Sequence, residues 1–215
     1  MIALLLVAIA TSGGLAILGE ERGPRGIVYV FKPLTTVLIL GLAASATGVP
    51  VRYQGLVVGG LAASLAGDVF LMLPRDRFVP GLGSFLVAHL AYVTAFAVTP
   101  VGVAPWVVLG GLLAFGGVVL RALWSRLGAL RGPVAVYVGV ILAMAWMAAA
   151  RWLRLPSAGA AAAAVGALLF VASDTLLAFD RFRGRFACAR VLVLTTYYGA
   201  QVLMALSVRP GLGVN

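Results

Sequence analysis

Residues 54–73 read QGLVVGGLAASLAGDVFLML, a run in which Asp68 is the sole ionisable side chain. About 20 apolar residues are what an α-helix needs to cross the hydrocarbon core of a bilayer. This stretch therefore reads as a membrane span with a carboxyl group near one end. Working outward, breaks at Gly, Pro and Arg divide the chain into eight such spans, at about 1–18, 27–46, 54–73, 82–99, 103–120, 133–150, 158–178 and 189–208. The fold expected is all-α: a polytopic bundle of about eight transmembrane helices in one integral membrane domain, 1–215. Short connections make sequential helices antiparallel neighbours.

Composition agrees with this reading. The 215 residues are 63% hydrophobic and 10% charged, with a mean hydropathy of +1.11. A soluble domain of this length would need a far more polar surface. The N-terminal MIALLLVAIATSGG has no Lys or Arg ahead of its apolar stretch, so it reads as the first span and not as a cleaved signal peptide. The single cysteine, Cys188, rules out an internal disulfide framework and a CxxC site.

Sixteen Lys and Arg against six acids give a net charge of +10. They punctuate the apolar runs instead of clustering with aromatics, which speaks against nucleic acid and for membrane topology. Twelve of the sixteen, counting Lys32 near the start of span 2, lie in or toward the connections after spans 1, 3, 5 and 7. The positive-inside rule puts those loops in the cytoplasm and both termini outside, with the chain in the cell (inner) membrane.

An ionisable group inside a span costs several kcal/mol on insertion scales. The ones present are Lys32, Asp68, His89 and Asp174. On the expected boundaries they lie roughly 7–10 Å inside helix ends that all face one side. Thr35, Ser64, Tyr92, Tyr137, Ser173, Tyr197, Tyr198 and Gln201 follow the same geometry. One polar pocket, open to the arginine-rich side, is the expectation. Many of these groups have a plainer role as interhelical hydrogen-bond partners, and Lys32 could simply snorkel. Asp76, Asp180 and the loop arginines read as solvated or headgroup contacts. The two aspartates are the candidates for chemistry, because a carboxylate at such depth is a poor source of stability.

Asp68 and Asp174 also fall in matching contexts. Ser64 and Gly67 precede the first and Ser173 the second; Asp76-Arg77-Phe78 and Asp180-Arg181-Phe182 follow them, and Tyr92 and Tyr198 each come 24 residues after their aspartate. A parallel 4+4 duplication would explain this, as would coincidence in a low-complexity apolar sequence.

Two carboxyl groups sharing a low-dielectric pocket can divide into an acid and a base, suited to cleaving acetal-like or enol-ether carbon–oxygen bonds. Metal chemistry has little support from one His and one Cys. Lys32-Pro33, the Ser64–Leu73 string, Phe78, Gly81, Phe85, His89 with Tyr92, Phe170-Val-Ala-Ser173-Asp174, and Tyr198 with Gln201 together resemble the YhhN-type lysoplasmalogenase family, in order and spacing, from helix 2 to helix 8. The resemblance implies hydrolysis of the vinyl ether bond of a lysoplasmalogen or related lyso-ether lipid to a fatty aldehyde and a glycerophospho-headgroup, without metal or organic cofactor. It also implies a lysophospholipid substrate met among membrane lipids. It puts the family's two acids at Asp68 and Asp174, Lys32 near phosphate or an aspartate, and His89, Tyr92, Tyr198 and Gln201 in orienting roles. No residue pattern identifies a protein partner.

Two rivals use similar features. A transporter would also keep acids in the membrane within a repeated architecture. An intramembrane aspartyl protease would want Gly-x-Gly-Asp, but Leu65 occupies the first glycine position and Ser173 stands where that family has Tyr.

Overall fold

A computed structural model describes residues 2–74, 77–98 and 105–209. Among them are eight helices long and apolar enough to cross a membrane: α1 (Ile2–Arg22), α2 (Arg25–Ala44), α3 (Val51–Met72), α4 (Phe78–Ala97), α5 (Trp106–Leu123), α6 (Arg131–Arg154), α7 (Ala158–Phe182) and α8 (Ala189–Leu206). Prolines stand at the N-caps of α2, α3 and α5, where a missing N–H costs no intrahelical bond. Gly184, at φ 117°, makes the turn out of α7, a conformation that side-chain-bearing residues rarely adopt.

The helix ends differ from the sequence expectation by up to a turn. α4 starts at Phe78 instead of 82 because Pro80 and Gly81 are absorbed into its first turns, where proline is tolerated. α7 runs on to Phe182. His89 thus lies eleven residues inside α4, roughly 16 Å along the axis, and Asp174 eight residues from the end of α7, roughly 12 Å, both deeper than expected. Asp76 lies outside the described residues.

Helices α2, α3, α4, α6, α7 and α8 pack side by side in that order and close back on α2; α1 lies outside against α2 and α8, and α5 outside against α6. A shift of four helices maps the pairs α1–α2, α2–α3, α3–α4 and α4–α6 onto α5–α6, α6–α7, α7–α8 and α8–α2. Close approach in the tightest hairpin depends on small residues. A Cβ on Gly60 would come 2.5 Å from the Tyr92 ring, and one on Gly67 2.6 Å from Phe85.

The face formed by the end of α2, the start of α3 and the ends of α6 and α8 is tied shut by polar contacts. Tyr53 Oη and Ser207 Oγ are 2.9 Å apart, the Arg151 guanidinium lies 4.4 Å from the Tyr53 ring centre, and Arg209 donates to the Leu42 carbonyl at 2.7 Å. Gln54 donates to the carbonyls of Ala43 and Ala46 at the α2 terminus, at 3.0 and 2.9 Å, which satisfies acceptors a helix end leaves open.

Candidate active site

Asp68 stands four residues before the end of α3 and is only 1% exposed. Its Oδ2 accepts a hydrogen bond from Thr36 of α2 and another from Tyr197 of α8, each 2.7 Å. Tyr197 Oη in turn accepts from Gln201 Nε2 at 2.9 Å. Gln201 Oε1 accepts from Tyr92 of α4 at 3.2 Å. The carboxyl group is therefore the end of a buried chain running Tyr92, Gln201, Tyr197, Asp68. Every link is a side chain within a helix, so the group is held by rigid elements.

Asp174 of α7 is partly exposed, at 15% of its side chain, and has His89 Nε2 3.9 Å from its Oδ2. Tyr137 of α6 donates a short hydrogen bond to the same oxygen. His89 is fully buried, and among the described residues neither ring nitrogen has a hydrogen-bond partner. Its ring stands edge-on to Tyr137 and to Phe170, with centres 5.4 and 5.2 Å apart. Phe170 also meets Tyr92 and Tyr197, both at 5.9 Å. An aromatic wall thus lies between the surroundings of the two aspartates.

Both acids open into one cavity of about 840 Å³ that also includes Lys32, Ser173 and Tyr197. Its rim comes from the α1–α2, α3–α4 and α7–α8 connections and carries Arg22, Arg25, Arg77, Arg181, Arg185 and Arg190 against the acids Glu20, Glu21 and Asp180, with Arg190 3.8 Å from the Glu20 carboxylate. A second, almost wholly apolar slot, much smaller at about 60 Å³, runs between α4, α5, α6 and α7 and touches Val119, Val138 and Ala178. The two spaces share Leu71, Phe78, Phe85, Asp174 and Leu177 as walls. Asp174 therefore stands where a charged vestibule meets a greasy one. Among the described residues, no group of three or more His, Cys, Asp or Glu is placed to hold a metal ion.

The model of the YhhN family matches residues 27–208, nearly the whole ring of helices. The chain belongs to the YhhN family. It is 34% identical to the membrane protein YhhN of Escherichia coli O6:H1 over 201 residues, covering 94% of this chain and 96% of that one. It is 37% identical to human lysoplasmalogenase TMEM86B over 155 residues, 72% of this chain and 64% of the relative. Human lysoplasmalogenase TMEM86A is 38% identical over 159 residues, 69% of this chain and 62% of the relative. No solved structure matches. Eight apolar helices and membrane relatives make this YhhN family member a multi-pass integral membrane protein.

Of the residues singled out in the sequence, the fold brings Lys32, Asp68, Ser173, Asp174 and Tyr197 to the shared cavity. His89, Tyr92, Tyr137 and Gln201 stand directly behind the acids. Ser64 is buried one turn before Asp68 and is not a wall of the cavity. Tyr198 turns toward α1, where a Cβ on Gly13 would lie 3.4 Å from its ring. Thr35 bonds to Ser12 and to the Phe31 carbonyl, at 2.8 and 2.7 Å. Its neighbour Thr36 is the one that reaches Asp68. That residue was legible in principle, since it follows Lys32 by four positions and so shares its helix face. The rim arginines carried a signal too, in the charge bias of their loops, but only the fold gathers them around one opening.

Proposed function

We propose that this YhhN family member is a membrane-embedded hydrolase of ether bonds, cleaving the vinyl ether of a lysoplasmalogen or a related lyso-ether lipid. The observation that carries the reading is the single cavity uniting Asp68 and Asp174 beneath six arginines. Relatives named lysoplasmalogenase at 37–38% identity support it. Guanidinium groups suit a phosphate headgroup, which they can grip with paired N–H donors. The acids lie below that rim, near where the first chain atoms of such a lipid would come.

The reaction follows from two carboxyl groups in distinct settings. Asp174 delivers a proton to the β-carbon of the vinyl ether, leaving an oxocarbenium ion whose positive charge is shared by the α-carbon and the ether oxygen. Asp68, whose Oδ2 already accepts two hydroxyl donors, is suited to remain the carboxylate. It steadies that cation and takes a proton from water as the water oxygen bonds to the α-carbon. The resulting hemiacetal collapses, the carbon–oxygen bond to glycerol breaks, and the glycerol oxygen takes up the hydroxyl proton. One water is consumed, giving a fatty aldehyde and a glycerophospho-headgroup. Asp174 recovers its proton by way of Asp68 and solvent. The arginine-rimmed opening faces the cytoplasm on the positive-inside rule.

Purified protein in detergent or liposomes should release aldehyde from lysoplasmenylethanolamine. Asp68→Asn and Asp174→Asn should each reduce kcat by a factor on the order of 10³, the scale of a lost general acid or base, with helix content and unfolding midpoint retained. Undiminished turnover in both variants would refute the assignment.

A further inference from the structure

The buried apolar residues do not form one cluster. The main core includes Phe85, Tyr137, Ile141 and Leu142. A separate small cluster of Val119, Leu123, Leu127 and Val134 holds the inner end of α5 against α6. The apolar slot lies along the join, taking walls from both. A small satellite beside the main core is ordinary, and Leu82 and Val138 pack against both; what singles out this join is the slot left along it. Among its walls are Asp174 and Tyr137. Another of its walls is Phe115, which is 43% exposed on the outer surface of α5. A narrow apolar slot, about 60 Å³, thus has the Asp174 carboxyl group and the exposed Phe115 among its walls.

We propose that the hydrocarbon chain of the lysolipid parts the walls of this narrow slot, about 60 Å³ as it stands, and enters sideways from the bilayer beside Phe115, so that the chain is drawn in from the leaflet with its first carbons at Asp174. The proposal deepens the hydrolase reading and rests on it for the identity of the lipid. Continuity with the charged cavity is what commits the slot to this occupant. A single-chain amphiphile has an anionic end for the arginines and an apolar tail for the slot, and its reacting bond lies where these two parts join. Asp174 lies at the corresponding junction of the two spaces. Val119 and Ala178 are then specificity-determining residues, because bulk at either position narrows the path of the tail without touching the acids' hydrogen-bond partners.

The test uses the wild-type protein in liposomes with a non-cleavable acyl lysophosphatidylethanolamine carrying a diazirine at mid-chain. Photolysis should label residues lining the slot, Leu82, Val119 and Leu123 among them, and excess unlabelled lysolipid should suppress the labelling. A diacyl phospholipid with the same diazirine should label only outer helix faces. Equal patterns from the two probes, or lysolipid labelling confined to other helices, would overturn the proposal. In parallel, Val119→Trp and Ala178→Trp should lower kcat/KM for a sixteen-carbon alkenyl lysolipid at least about ten-fold more than for a four-carbon one. An equal loss for both chain lengths in a folded variant counts against the slot. Should wild-type protein release no aldehyde, the hydrolase reading fails, while photolabelling still decides whether a lysolipid tail occupies the slot.

Discussion

His89 is a costly residue as it stands. A buried polar atom without a hydrogen-bond partner costs about 1–3 kcal/mol, and both of its ring nitrogens are in that position among the described residues. Its Nε2 lies 3.9 Å from the Asp174 carboxyl, beyond a hydrogen bond but within a small movement of one. On the proposed function, His89 positions the Asp174 carboxyl group, which gives that cost a purpose. His89→Phe should keep the ring packing against Tyr137 and Phe170 and leave the unfolding midpoint equal or higher. It should lower kcat by a factor on the order of 10², as read by aldehyde release. Sequence reading named His89 and Asp174 separately because each is an ionisable group in an apolar run. It could not pair them, since the pairing depends on α4 and α7 both meeting α6 and on Phe170 filling the space beside the imidazole. The Asp68 network was opaque for a similar reason: Tyr92, Gln201 and Tyr197 join only once α8 has packed into the ring.

At the scale of the element, the helices themselves were plain in the sequence, because length and hydropathy alone decide whether a segment can span a bilayer. Their ends were less so. Gly81 and Pro80 look like a break but sit within the first turns of α4, and the last turn of α7 carries Asp180 and Arg181, charges that hydropathy reads as loop. What hydropathy cannot convey is how closely two helices approach. Gly59 and Gly60 are adjacent in α3, yet a Cβ on Gly59 meets nothing within 4 Å, while one on Gly60 meets Tyr92 at 2.5 Å. Gly60→Ala should therefore destabilise the protein by about 1–3 kcal/mol, the cost of overpacking, and weaken turnover by displacing Tyr92 from Gln201. Gly59→Ala should be neutral or slightly stabilising, since alanine is the better helix former. Thermal or denaturant unfolding in detergent separates the two.

Across the whole molecule, charge and cavity share a face. Three of the four basic connections, α1–α2, α3–α4 and α7–α8, surround the opening above Asp68 and Asp174, so on the proposed function topology and substrate approach are linked. Cys188 offers a direct check: it is exposed and lies in the α7–α8 connection on that face. A membrane-impermeant maleimide should label Cys188 in inside-out vesicles and not in intact spheroplasts if the positive-inside assignment holds. The reverse pattern would turn the cavity toward the outside. The duplication suspected from the two aspartate contexts finds an echo in the packing, where the partners of α1–α4 recur four helices later. The outer helices break the match, for α1 also packs on α8 whereas α5 packs mainly on α6.

The contacts at the far end, which join Tyr53 to Ser207 and Arg151 and tie Arg209 to the end of α2, bear on the cell's energy supply. A deep, carboxylate-bearing hollow reaching into an energised membrane would act as half of a proton channel, and each charge that slipped through would waste about 2.3 kcal/mol per 100 mV of potential. On the proposed hydrolysis, protons are borrowed and returned at one surface, and the contacts at the opposite face are what would keep them from crossing while the gradient stays intact.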